Sequence, residues 1–133
     1  MAENKVVKTK AKFLPISAKK VRPLTRLVVN KSPEEALIIL AHLPQKGAKF
    51  LGKLIICAQA EAENNFGLKR ENLLINSLTV SDGPRLKRID NAHGARFSSG
   101  VNQKRMSHLE IILKEKEEEK KETNLKPDLK PKV

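Results

Sequence analysis

The hydrophobic and polar positions of the chain begin with a period of two. In "VVKTKAKFLPIS", Lys8, Lys10 and Lys12 alternate with Val7, Thr9, Ala11 and Phe13, which predicts a half-buried strand with a basic outer face. The period then lengthens. Val21, Leu24, Leu27 and Val28 follow at helical spacing behind Ser17, a residue suited to a helix N-cap. Pro23 lies beyond the first turn, so this helix either bends or begins later than Ser17 suggests. Asn30 is placed to end it in the left-handed conformation.

"SPEEALIILAHLP" is the clearest local signal. Ser32 is the N-cap, Pro33 takes the first helical position and Glu35 completes a capping box. This second helix is expected to bury Leu37, Ile38 and Leu40 or Ala41, and to stop before Pro44. "QKGAKFLGKLIICAQAEAENNFG" predicts a third, with Leu51, Leu54, Ile55, Ala58 and Ala62 as its buried stripe and Gly67 as its C-terminal cap. Lys46, Lys49 and Lys53 fall on the opposite side, and Cys57 reads as a small core residue.

Beyond Gly67 two strands are predicted, one placing Leu74, Leu78 and Val80 on a shared face, the other Leu109, Ile111 and Leu113. Between them lies "GPRLKRIDNAHGARFSSGVNQKRMSH", residues 83–108, basic and poor in core formers. From Leu74 to a turn near Arg96 is about 22 residues, on the order of 70 Å when extended. A body of about 110 residues has a diameter of only about 35 Å. Roughly half of such a hairpin has to stand outside it. The fold expected is α+β: a small antiparallel sheet on three helices, a long projecting β-hairpin and a disordered charged C-terminal tail. Residues 1–113 form a single domain in this reading, with the hairpin extension at about 83–108. Residues 114–133 are a flexible charged tail, rich in both signs and nearly free of hydrophobes.

Charge gives this outline a purpose. The 133 residues carry a formal net charge of +12. From Lys114 to Val133 seven lysines meet six acids, so the first 113 residues hold 20 basic and 9 acidic residues, a net of +11. Such a charge opposes compaction and implies a polyanionic partner, nucleic acid or an anionic membrane surface. No stretch approaches the roughly 20 apolar residues of a membrane span, and "MAENKVVKTK" lacks a secretory apolar run. With Cys57 the only cysteine, an internal disulfide is impossible, and a reducing compartment is expected. Phe13, Phe50, Phe66 and Phe97 are the only aromatics, which disfavours a platform of stacked rings and favours recognition of a folded polyanion by charge and shape.

Catalysis finds no support in the residues. His42, His93 and His108 are dispersed, and Cys57 has no cysteine or histidine nearby in sequence. Ser107 and His108, adjacent on a strand, point to opposite faces. Gly94 and Gly100 fit neither phosphate-binding glycine pattern. No metal, cofactor or enzymatic activity is expected. Two non-enzymatic readings compete: a structural protein held in folded RNA, and a free nucleic-acid regulator using the ribbon as an arm. The second would normally need a dimer, and no dimerisation stripe is evident, so no homo-oligomer is expected.

The order of motifs favours the first. "ISAKKVR" at 16–22, "SPEEAL" at 32–37, "CAQAEAENNFG" at 57–67, "DGPRLKR" at 82–88 and "KRMSH" at 104–108 resemble the family numbered twenty-two of large-subunit ribosomal proteins. Sedimentation of the protein with or apart from large ribosomal subunits separates the two readings. The resemblance implies binding to large-subunit ribosomal RNA early in assembly, contact with neighbouring ribosomal proteins, and a hairpin tip on the wall of the peptide exit tunnel. It also implies encounters of that tip with the nascent polypeptide and with macrolide antibiotics, and residence on a ribosome in the cytoplasm or an organelle. Lys20 and Arg22 match basic positions of the first helix, Lys87 and Arg88 the outgoing hairpin strand, and Lys104 and Arg105 the returning one. With Lys8, Lys10, Lys12, Lys19, Arg85, His93, Arg96 and His108 they make up the expected RNA-binding set. Asn91, Ala92, His93, Gly94, Ala95, Arg96 and Phe97 would form the tunnel-facing tip. The sequence departs from the family pattern in its less basic tip, "DNAHGARFSSGVNQ", in Glu61 where an asparagine is expected, and in Asn30 where glycine commonly closes the first helix.

Overall fold

The element order in the computed structural model, which describes residues 6–91 and 100–116, is strand, three helices, two strands: β1 (Val6–Leu14), α1 (Ala18–Val28), α2 (Pro33–His42), α3 (Lys46–Phe66), β2 (Leu73–Asp90) and β3 (Gly100–Glu115). The strands form one antiparallel sheet in the order β1-β3-β2, so the last strand lies between the other two. The α+β architecture expected from the sequence is the one observed.

α2 begins as its sequence dictates. Ser32 takes an extended N-cap conformation and its hydroxyl accepts the Glu35 N–H at 3.3 Å, with Pro33 opening the helix. α3 ends on Gly67 at φ 64°, whose N–H reaches the Glu63 carbonyl while Leu68 N–H reaches that of Ala62. Asn30, the residue in place of glycine, does adopt the left-handed conformation, at φ 63°. Its N–H donates to the Ile75 carbonyl at 2.9 Å, and the Ile75 N–H returns a bond to Lys31 at 3.0 Å, so the end of α1 is tied to β2. α1 runs through Pro23, which lies on the exposed side where water can reach the carbonyl its ring leaves unpaired.

The core lies between the helices and one sheet face: Val21, Leu24 and Val28 of α1 and Leu51, Leu54, Ile55, Ala58 and Ala62 of α3 meet Val7, Ile75, Leu109, Ile111 and Leu113. The stripe expected on α3 is therefore observed, and so is the inward face of β3. Other positions differ. Ile38 of α2 is 62% exposed, because Ala36 and Leu40 set its inward direction. Leu27 is also partly exposed, and Cys57 lies on the surface of α3 instead of in the core.

Three bulges account for the remaining differences. Between Ile75 and Ser77 β2 advances two residues while β3 advances one, so Ile75 and Leu78 share the inner face despite their odd spacing, and Leu74 does not join them. Between Ala11 and Leu14 β1 gains one residue, and Phe13 turns outward at φ 58°. The third bulge lies between Asp82 and Arg85, at Gly83-Pro84. A Cβ on Gly83 would stand 3.0 Å from the Met106 carbonyl group and 3.2 Å from Ser107 N, so a side chain there would have to push the two backbones a few tenths of an ångström apart, and glycine suits the approach. Pro84, which cannot donate to a ladder, is accommodated at the same irregularity.

Candidate nucleic-acid interface

Outward from the Gly83-Pro84 bulge, β2 and β3 continue, among the described residues, as a two-stranded ribbon. Arg85 pairs with Arg105, Leu86 with Lys104, Lys87 with Gln103, Arg88 with Asn102, Ile89 with Val101 and Asp90 with Gly100. Every residue from Pro84 to Ile89 and from Gly100 to Arg105 is exposed, so both faces of the ribbon meet solvent. Alternation puts Arg85, Lys87 and Arg105 on one face and Arg88 and Lys104 on the other. Arginines directly opposite one another repel, and an isolated ribbon buries little. The arrangement suits a surrounding anion that supplies both neutralisation and contacts. Asn91, the last described residue beyond β2, is exposed. Ala92, His93, Gly94, Ala95, Arg96 and Phe97 lie outside the described residues, as do residues 117–133 of the tail.

The body adds cations beside the ribbon's root. Lys20 of α1, Lys46 of α3 and Lys104 and Arg105 of β3 line a single open cavity of about 410 Å³ with Ile16 and Gln103. Lys46 is absent from the set expected on sequence grounds. A signal for it exists in the sequence: α3 has no acid in its first turn, so Lys46 adds positive charge to the positive end of the helix dipole. Around the corner Lys19, Arg22 and Arg26 border a second depression with Pro23 and Leu27. Arg22 also pairs with Asp82 at 3.2 Å, bracing α1 against the strand just before the bulge.

The basic face of β1 is partly neutralised within the protein. Lys8 and Lys10 reach the two oxygens of Glu110 on β3, at 2.6 and 3.2 Å. The hydrogen bond from Lys8, aided by Lys10, holds the Glu110 carboxyl below the usual carboxylate range. Lys12 remains exposed. His108 is half-buried, its Nδ1 accepting the Phe13 N–H at 3.0 Å, with the two rings edge to face at 4.9 Å. Glu61, the departure on the third helix, accepts a hydrogen bond from the Thr9 hydroxyl and so links α3 to β1. Among the described residues there is no cluster of three or more histidine, cysteine or acidic side chains able to hold a metal, and no helix long and apolar enough to cross a membrane.

The family model described as ribosomal protein L22p/L17e matches residues 9–114. The chain is 41% identical over 112 residues to the large ribosomal subunit protein uL22 of Thermotoga sp. (strain RQ2), a match covering 84% of this chain and 69% of that relative. To the protein of the same name from Petrotoga mobilis it is 41% identical over 122 residues, 90% of this chain and 80% of the relative. To that of Thermosipho africanus it is 42% identical over 110 residues, 83% and 73% of the two.

Proposed function

The chain belongs to the ribosomal protein L22p/L17e family, and from that premise we propose that it binds large-subunit ribosomal RNA, aids its assembly, and carries its hairpin tip to the wall of the polypeptide exit tunnel. The observation that carries this reading is the ribbon itself. It is continuously paired from Arg85 and Arg105 out to Asp90 and Gly100, bare on both faces, and residues 84–105 bear a net charge of +5. A structure with so little to bury acquires a rigid setting by insertion into a polyanion.

In this reading Arg85, Lys87, Arg88, Lys104 and Arg105 contact phosphates and sugars along the ribbon, since RNA helices are read mainly through backbone and shape. Lys20 and Lys46 extend the same track onto the body, and Lys12, Lys19 and Arg22 flank it. Lys8 and Lys10, shared with Glu110, contribute less. The family's place in the large subunit makes ribosomal RNA and neighbouring ribosomal proteins the partners; encounters with nascent chains and macrolides belong to the tip. No catalytic step is required.

Replacing Lys87, Arg88, Lys104 and Arg105 together by alanine tests the phosphate contacts. Each lost contact removes about 0.7–0.9 from the slope of log affinity against log salt, so the fourfold variant should bind large-subunit RNA with a slope about 3 units shallower. Its circular dichroism should remain that of the parent, because none of the four side chains is buried. An unchanged slope would remove these residues from the interface.

A further inference from the structure

Phe13 is an anomaly that the RNA track does not absorb. Strand alternation from Val7, Thr9 and Ala11 would bury it, yet the bulge turns it outward, and it is 61% exposed. Its φ of 58° is a conformation that bulky side chains rarely adopt. An outlier of this kind persists only where its surroundings impose it, and such outliers cluster at binding sites. Here the bulge sets it and His108 helps to hold it, accepting the Phe13 N–H at 3.0 Å and bracing the ring at right angles. The result is an aromatic ring held at the surface, beside an open cavity of about 320 Å³ lined also by Lys10, Lys12, Ser81, His108 and Glu110, whose carboxylate is taken up by Lys8 and Lys10.

We propose that Phe13, Lys12 and His108 form a receptor for one unstacked nucleotide, with the base against the Phe13 ring and its phosphate at Lys12. The proposal rests on the RNA-binding reading above and gives it a contact of a different kind. Because His108 Nδ1 accepts a hydrogen bond, its neutral ring carries the proton on Nε2, which makes that nitrogen a donor for a base edge, a 2′-hydroxyl or a phosphate oxygen. An apolar protein segment would cover the ring equally well but would leave Lys12, Ser81 and the histidine donor unanswered. A nucleotide satisfies all of them, since it joins a π-face to an anion. The general scarcity of aromatics is consistent with one such contact inside an interface otherwise built from charge.

The test compares the full chain with Phe13→Gly, Phe13→Leu and Phe13→Tyr in binding to an in vitro transcript of large-subunit ribosomal RNA across a salt series. Phe13→Gly and Phe13→Leu should weaken binding about 5- to 100-fold, the range for loss of one stacked base, while Phe13→Tyr stays within about twofold. The salt slope should not move, because no cation is removed. The melting temperature of Phe13→Gly should not fall, glycine being at ease at this φ. The site is overturned if the glycine variant, or the leucine variant, binds as tightly as the parent while the fourfold hairpin variant still flattens the slope. If the hairpin variant also binds with the parent's slope, the RNA-binding reading fails instead.

Discussion

Glu110 sits at the centre of the outer face of the sheet, with Lys8 and Lys10 both directed at it. Its carboxyl is held below the ordinary range chiefly by the hydrogen bond from Lys8, so the folded protein takes up this proton less readily than the unfolded chain. A depressed folded-state value contributes stability that is present above the unfolded value and is lost as the pH falls through the folded one. Glu110→Gln should therefore lower the denaturation midpoint slightly near neutral pH. The gap from the parent should close as the pH drops from about 5 to about 3, and should also narrow with added salt, since the pairs are exposed. Urea titrations at several pH values measure it. A gap of constant size would trace the loss to something other than these ion pairs. The same arrangement makes Lys8 and Lys10 weaker candidates for phosphate contact than Lys12, although the three are alike in sequence.

At the level of elements, the Gly83-Pro84 bulge marks where the sheet stops belonging to the body. Ser107, opposite Asp82, is fully buried, whereas Arg105, opposite Arg85, is exposed. Gly83→Ala would set a Cβ 3.0 Å from the Met106 carbonyl group, a backbone neighbour that cannot rotate aside. The variant should lose about 1–3 kcal/mol of stability, read by chemical denaturation, with hydrogen-exchange protection falling first at Ser107 and Leu109. Parent-like stability would mean that the bulge yields easily. Bulges also mark where the sequence stops being legible. The three helices, their caps at Ser32 and Gly67, the left-handed Asn30 and the long hairpin all follow from local chemistry and periodicity. One inserted residue reverses the parity of everything beyond it, and nothing in "LLINSL" or "KAKFLP" announces the insertion, so Phe13 and Leu74 are misassigned by alternation alone. Cys57 and Ile38 are misread for another reason. "LIICA" in α3 and "ALIILA" in α2 each offer more apolar residues than one helix face can bury, and only the neighbouring elements decide which of them turn inward. The site divides in the same way: the ribbon cations can be found from charge and spacing, whereas the meeting of Lys46 with Lys104 and Arg105 exists only in three dimensions.

Across the whole molecule, charge is distributed by segment. Residues 117–133 hold five lysines and five acids, so removing them leaves the net charge at +12 on a shorter chain. Residues 84–105 alone bear +5. If affinity comes from neutralised phosphates, it depends on where cations are held and not on how many the chain contains, because a lysine interspersed with glutamates releases few counterions on balance. Truncation after Lys116 should therefore leave both the RNA affinity and its salt slope unchanged. The cut also spares the sheet, as β3 ends at Glu115 and the Lys116 N–H closes onto the Asn72 carbonyl. Filter binding of the truncated chain beside the parent over a salt series makes the comparison. A shallower slope after truncation would show that tail lysines reach phosphates despite their acidic neighbours, and part of the interface would then have to be moved from the ribbon to the tail.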